Sequence, residues 1–74
     1  MMRYHYYFKE TEHEVNENAV CLSSAVKYVL DNSFHFSTFS LFGDDLVQVA
    51  DDDGNILAIV DLGLCSVYYQ SFGR

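Results

Sequence analysis

The sequence has no proline, four glycines and two cysteines among its 74 residues, and each scarcity excludes a class of structure. The glycines are isolated, so the chain has no glycine-rich loop that could hold a phosphate group. No linker or low-complexity segment divides the chain, and this length suits a single domain over residues 1–74. No apolar run approaches the roughly 18 residues that span a bilayer, and the start lacks a secretory signal. We therefore expect a cytoplasmic protein that does not bind a membrane.

Potential metal ligands are few and widely separated. Cys21 and Cys65 form no CxxC pair, so we expect two reduced, mostly buried thiols. A disulfide between them would require Cα atoms within about 7 Å. His5, His13 and His35 also lack the close spacing of zinc ligands, although each could make a pH-sensitive contact. We expect neither a metal nor a cofactor.

Basic residues are scarce too, because four Lys and Arg against eleven Asp and Glu leave a formal net charge of −7. The four bases are scattered and form no patch: Arg3, Lys9, Lys27 and Arg74. Such a charge opposes direct binding to nucleic acid or anionic membranes, and it steers the protein toward basic protein partners. Half of the residues are hydrophobic and the chain has six Tyr and six Phe, which argues against intrinsic disorder.

A strong β-hairpin signal lies between Asp45 and Asp61. Residues 46–50 and 56–60 are apolar runs rich in β-branched residues, and the Asp-Gly-containing segment 51–55 between them is typical of a turn. The acids of that segment also invite comparison with a calcium-binding EF-hand loop. Ligand positions 1 and 12 would then be Val49 and Val60, which favours an ordinary solvated turn.

The first residues predict a half-buried strand. Residues 3–9 alternate, with Tyr4, Tyr6 and Phe8 on one face. Residues 10–14 either continue that strand or form an acidic loop. If the strand continues, Glu10, Glu12 and Glu14 lie on one side.

The middle of the chain predicts a helix and then a strand. The helix runs from Asn16 or Asn18 to about Asp31, with Asn32 as a left-handed terminator. Its apolar stripe comprises Cys21, Leu22, Ala25, Val26, Val29 and Leu30. Residues 34–42 alternate with a slip near the centre, which predicts a bulged strand or two short strands. Residues 43–45 then form a turn.

The last third predicts further strands. Residues 56–60 are apolar on both faces, which is typical of a strand in the middle of a sheet. Residues 65–72 form a last strand or a packed tail, with Tyr68 and Tyr69 on opposite sides if extended. The fold class is therefore α+β, a small antiparallel sheet in the order β-α-β-β-β with a possible final strand. One amphipathic helix packs on one face, so the chain ends or another chain must cover the other.

The acids form two clusters, one ahead of the helix, which includes Glu17, and one around the hairpin. Spaced carboxylates can present a phosphate-like surface to a protein that binds nucleic acid, with exposed tyrosines as anchors. Such runs are equally typical of an ordinary solvated surface. The candidate partner-binding residues are Glu10, Glu12, Glu14, Asp44, Asp45, Asp51, Asp52, Asp53, Tyr7, Tyr68 and Tyr69.

This composition is similar to that of small acidic inhibitors from phages and mobile elements, including anti-CRISPR and anti-restriction proteins. The leading hypothesis is a non-enzymatic inhibitor of a basic, nucleic-acid-handling protein. No Gly-x-Ser-x-Gly elbow occurs and Cys21 has no identifiable base, so we expect no enzymatic activity. The alternative is a structural or regulatory module that self-associates, for example as a homodimer, through the apolar face of residues 56–60 and the aromatic strands. A hydrolytic or metal-binding activity is a third, weaker hypothesis.

Overall fold

A computed structural model describes residues 2–38 and 45–70, which form one antiparallel sheet and two helices. The strands are β1 (Met2–Phe8), β2 (Thr11–Ala19), β3 (Leu46–Ala50), β4 (Ile56–Asp61) and β5 (Ser66–Tyr69). The helices are α1 (Leu22–Asp31) and α2 (Ser33–Ser37). The strand order is β2-β1-β3-β4-β5, and every neighbouring pair is antiparallel. The predicted class, a small α+β fold with an antiparallel sheet, is confirmed.

The first two strands form a hairpin that the sequence pattern does not predict. Lys9 and Glu10 make the turn, and Lys9 adopts a φ of 57° without any glycine or asparagine at that position. Both interpretations of residues 10–14 were therefore wrong, because this segment turns back and starts β2. Strand β2 is polar and lies at the sheet edge, where one side of its backbone faces solvent and burial demands little apolar character.

A register shift in this hairpin separates two of the predicted acids. Tyr6 pairs with Glu14, but Tyr7 pairs with Glu12, so the register of the β1–β2 pairing shifts between Tyr6 and Tyr7. Directly paired residues share a face of the sheet. Glu14 therefore lies on the helix side and Glu12 on the opposite side, rather than together as the alternation predicts.

The first helix is shorter than predicted, and the second replaces a predicted strand. Helix α1 begins at Leu22 with Cys21 in the N-cap position, because residues 11–19 belong to β2. It ends where expected, although Asn32 has a φ of −118° rather than a left-handed conformation. In α2, Phe34 is 86% exposed whereas Phe36 is fully buried. Residues two apart lie about 200° apart on a helix, so the Phe34/Phe36 alternation was misread. Residues 39–44 of the predicted strand and turn lie outside the described residues.

The β3–β4 hairpin matches its prediction. Gly54 has a φ of 84°, as the turn requires. One carboxylate oxygen of Asp51 accepts the backbone N–H groups of Asp53 and Asn55, each at 2.9 Å, and the other accepts the Asn55 side-chain amide. The turn is therefore held by hydrogen bonds among its own residues. Strand β4 lies between β3 and β5, as its apolar character predicts.

The hydrophobic core lies between one face of the sheet and the two helices. The ring of Tyr6 stacks on Tyr28 with centroids 5.8 Å apart and meets Phe36 edge-on at 5.2 Å. The buried apolar residues of this core are Tyr4, Tyr6, Phe8, Ala19, Ala25, Val26, Val29, Phe36, Val47, Val49, Ala58 and Val60. Aromatic burial from β1 thus contributes much of the driving force for folding.

The cysteines differ from their prediction, since both are free but both are exposed. Cys21 was placed on the apolar stripe of the helix, but it precedes the first helical turn and lies at the surface. Neither described helix has the length and apolar character needed to cross a membrane.

Candidate functional site

His5 is the centre of a polar network on the face of the sheet opposite the helices. We call this side the open face, because no helix among residues 2–38 and 45–70 covers it. The two ring nitrogens of His5 contact two carboxylates that are far apart in the chain. Nδ1 lies 2.7 Å from Oε1 of Glu12 on β2, and Nε2 lies 2.7 Å from Oδ1 of Asp52 in the β3–β4 turn. His5 therefore connects three segments of the sheet.

Two neighbours on β1 extend the network. The guanidinium of Arg3 donates a hydrogen bond from Nε to the same Asp52 oxygen at 2.8 Å. The Tyr7 hydroxyl donates a weaker bond to Glu12 at 3.3 Å. Period-2 alternation places Arg3, His5 and Tyr7 on one side of the strand, while Tyr4 and Tyr6 face the core. We call Arg3, His5, Tyr7, Glu12 and Asp52 the His5 cluster.

The electrostatics of the cluster favour the ionised forms of Arg3, His5 and Asp52. The hydrogen bond with Asp52 raises the pKa of His5, and Glu12 adds to this effect. In return, His5 and then Arg3 lower the pKa of Asp52 by hydrogen bonding to its carboxylate. With His5 protonated, two positive side chains face two carboxylates, so the cluster itself carries no net charge.

Two further acids border the cluster. Glu17 on β2 is exposed and close enough for its charge to raise the pKa of Arg3, although Asp52 contributes more. Asp53 is exposed beside Asp52 in the β3–β4 turn. Neither carboxylate has a partner among the described residues. Members of both acidic clusters of the sequence, Glu12 and Glu17 from one and Asp52 from the other, thus meet on the open face. The exposed Asp53 adds negative charge beside Asp52.

Several predicted site residues lie elsewhere. Glu14 is on the helix side, where it accepts a hydrogen bond from Tyr28 and lies 3.0 Å from His35 Nε2. Glu10 is in the β1–β2 turn, Asp45 precedes β3, and the Asp51 carboxylate closes its own turn. Asp44 lies outside the described residues.

The predicted tyrosine anchors are on different faces. Tyr7 pairs with Gln48, Gln48 with Ile59, and Ile59 with Tyr68, so all four share the open face. Tyr68 is 55% exposed there. Tyr69 pairs with the core residue Ala58 and therefore lies on the helix side.

Sequence reasoning missed Arg3 and His5 as members of the site, because neither base stands next to an acid in the chain. The available signal was the alternation of β1, which places both on the face opposite Tyr4 and Tyr6. The position of Asp52 beside them depends on the β1–β3 pairing, which no local pattern specifies.

Nothing among the described residues resembles an enclosed catalytic or metal site. No group of three His, Cys, Asp or Glu side chains in residues 2–38 and 45–70 could hold a metal ion. An open cleft of about 290 Å³ lies between α2 and the β4–β5 turn, at the other end of β3 from Asp52. The described residues that line it are Ser33, Phe34, Ser37, Asp45, Leu62 and Gly63, and of these only Asp45 has a carboxylate. This lining provides no acid–base pair. No protein-family model, curated protein or solved structure matches the chain.

Proposed function

We propose that the protein is a small, non-enzymatic binding protein that inhibits a basic, nucleic-acid-handling protein by occupying its cationic surface. The observation that carries this proposal is the convergence of Glu12, Glu17 and Asp52 on the open face of a chain with a net charge of −7, with the exposed Asp53 next to Asp52 in the turn. Carboxylates spaced along strands and turns stand in for the phosphates of the displaced nucleic acid. The direct ligand is the partner protein, since the same charge repels nucleic acid.

The acids of this face have unequal roles. Glu12 and Asp52 already bind cations of their own chain, so a partner gains less from them. Glu17 and Asp53 are free to pair with incoming Lys or Arg side chains. Exposed ion pairs contribute little affinity individually, roughly 0.2–1 kcal/mol, so the charge acts mainly by steering encounter.

Apolar anchoring comes from the row of residues that crosses the open face. Tyr68 at 55% exposure provides a large amphipathic ring at one end of this row, and Tyr7 lies near its other end beside the acids. Aromatic anchors of this kind dominate protein–protein affinity. We place the protein in the cytoplasm, as an inhibitor of the type that phages and mobile elements use against CRISPR or restriction systems.

The test uses a deca-arginine peptide as a stand-in for a basic groove, with affinity measured by isothermal titration calorimetry. The double variant Glu17→Gln/Asp53→Asn removes two charges from the open face without breaking a contact that the structure shows. We expect its affinity to fall roughly three- to tenfold at low salt. The dependence of affinity on salt, measured between about 50 and 200 mM, should also become shallower.

The matched control is Glu10→Gln/Asp31→Asn, which changes the net charge equally. Glu10 lies in the β1–β2 turn and Asp31 at the end of α1, paired with Lys27 at 2.6 Å. Extended strand geometry puts Glu10 roughly 20 Å from Glu17 along β2, and Asp31 is on a helix on the other side of the sheet. Charges more than about 10 Å apart are largely screened, so this variant should lose roughly twofold or less. An equal loss in both variants would show that binding follows net charge alone, and the proposed face would be wrong.

A second candidate function is self-association through the other half of the open face. There Leu46 and Tyr68 are exposed, while Ile56 and Ile59 are half-buried on the side of the sheet that no described helix covers. Sedimentation velocity tests this candidate, with Tyr68→Lys as the disruptive variant and Tyr69→Lys on the helix side as its control. A dimer that is indifferent to salt and lost only in Tyr68→Lys would favour this function over the first.

A further inference from the structure

His5 lies at the seam where the two hairpins of the sheet join. Strands β1 and β3 pair only at His5, Tyr6 and Tyr7, whereas the register of the β1–β2 hairpin extends over the whole of β1. The seam also joins segments more than 40 residues apart, so no turn connects its two sides directly. Side chains that bridge it therefore add to the three backbone pairs that join the hairpins.

The contacts of His5 require a protonated ring. Carboxylate oxygens only accept hydrogen bonds, so two carboxylates at 2.7 Å call for two N–H donors. Imidazolium has two donors, whereas neutral imidazole has one donor and one lone pair. On deprotonation, either Glu12 or Asp52 must lose its hydrogen bond and face that lone pair at close range.

We propose that His5 is a proton-operated clasp between the two hairpins. When protonated, it ties β2 to the β3–β4 turn across β1; when neutral, it releases one carboxylate and loosens the seam. The released carboxylate adds to the negative charge of the open face. This device depends on the geometry of the His5 cluster alone and not on the proposed partner.

The charged surroundings of the ring support this behaviour. On β1, the like charge of Arg3 opposes protonation and Tyr7 is neutral; on β2, Glu12 contacts the ring and favours protonation, and Glu17 lies near Arg3. From the β3–β4 turn, Asp52 contacts the ring, and Asp51 and Asp53 flank it. The residues of β3 that face His5 are Gln48 and Ala50, which carry no charge. The side chain of His5 is only 17% exposed, which limits screening of these interactions.

The sign of the pH effect follows from the raised pKa of His5, for which Asp52 is the largest cause. A raised pKa in the folded state means that folding is favoured by protonation. The added stability is complete below the unfolded pKa of about 6.5, and it is lost as pH rises through the folded pKa.

The first test is an NMR titration of the His5 ring. We expect a pKa above 6.5 in the wild type and a clear decrease in Asp52→Asn, which removes the main charged acceptor. Asp53→Asn changes the net charge equally at the adjacent position without touching the ring, and its effect should be several-fold smaller. A wild-type pKa at or below 6.5, or equal decreases in the two variants, would overturn the clasp.

The second test is the urea unfolding midpoint between about pH 6 and pH 9. The wild-type midpoint should fall as His5 loses its proton, and His5→Gln should remove at least half of that fall. If His5→Gln does not fold, Asp52→Asn serves in its place, because it also removes one side of the clasp. A fall that is unchanged in these variants would show that His5 titrates without holding the hairpins together.

Discussion

At the scale of the residue, the Tyr6 hydroxyl links β1 to α1 inside the core. It donates a hydrogen bond to the backbone oxygen of Ala25 at 2.8 Å and accepts one from Asn16 at 3.1 Å. Burial raises the pKa of Tyr6 to about 12, so the hydroxyl keeps its proton throughout the neutral range. A polar group in the core is tolerated here because both of its hydrogen-bonding functions are satisfied.

Replacing this hydroxyl should destabilise the protein measurably. We expect Tyr6→Phe to lower the free energy of unfolding by about 1–2 kcal/mol, since it leaves Ala25 and Asn16 without their partner. Tyr7→Phe, one residue away on the open face, removes only a long exposed bond to Glu12 and should have a much smaller effect. Urea denaturation of both variants checks this comparison, and equal losses would contradict the role given to Tyr6.

The reactivity of the Cys21 thiol tests the environment that the structure gives it. The hydroxyls of Ser23 and Ser24 lie 3.1 and 3.6 Å from its sulfur, and together with N–H groups at the start of α1 they lower its pKa to about 7. In a Cys65→Ser background, the rate of alkylation by iodoacetamide should therefore be half-maximal near pH 7, because the thiolate is the nucleophile. Ser23→Ala should shift that midpoint upward. A midpoint at the ordinary thiol value of about 8.5 would contradict this environment.

At the scale of the element, the β3–β4 turn has a backbone conformation at Gly54 that would be strained for most other residues. The hydrogen bonds of the turn are made by its own residues. Gly54 has a φ of 84° and no atom lies within 4 Å of the position of an added Cβ, so only backbone conformation limits substitution. Gly54→Ala should cost about 1 kcal/mol of unfolding free energy. Gly63→Ala provides the control in the next turn, where no positive φ is involved and an added Cβ would meet carboxylate oxygens at 3.3–3.4 Å. Thermal unfolding that ranks Gly63→Ala well above Gly54→Ala in cost would contradict this account.

The elements that could be predicted are those that nearby residues in the chain specify, through a turn sequence or through alternation. Asp-Gly between two β-branched runs specifies the β3–β4 hairpin locally, and the alternation of β1 specifies its buried face. The β1–β2 hairpin could not be found in this way, because its turn uses Lys9 at positive φ and β2 is polar. Helix α2 was missed because an alternation of Phe, Ser and His is consistent with a strand until packing of Phe36 decides otherwise.

The candidate site could be predicted only in part, for a related reason. The acids and tyrosines were identified from composition, but their distribution between two faces depends on a register shift in β1–β2. Because of that shift, Glu14 contacts Tyr28 on one face and Glu12 contacts His5 on the other. The proximity of Asp52 to Arg3 and His5 likewise follows from pairing between distant strands.

At the scale of the whole molecule, the chain neutralises some of its acids and leaves others exposed. Lys27 pairs with Asp31, and the basic members of the His5 cluster pair with Glu12 and Asp52. Glu17 and Asp53 stay uncompensated at the edge of that cluster. The open face therefore offers free charge around a neutral centre rather than a uniform acidic surface.

The most direct test of the binding proposal is a chemical-shift map recorded while the deca-arginine peptide is titrated into ¹⁵N-labelled protein at low salt. The proposal predicts that the largest changes fall on β1, β2 and the β3–β4 turn, centred on Glu17, Asp52 and Asp53. Small changes are expected on α1, including Asp31. Changes spread evenly over all acids, or concentrated on the helix side, would contradict a binding site on the open face.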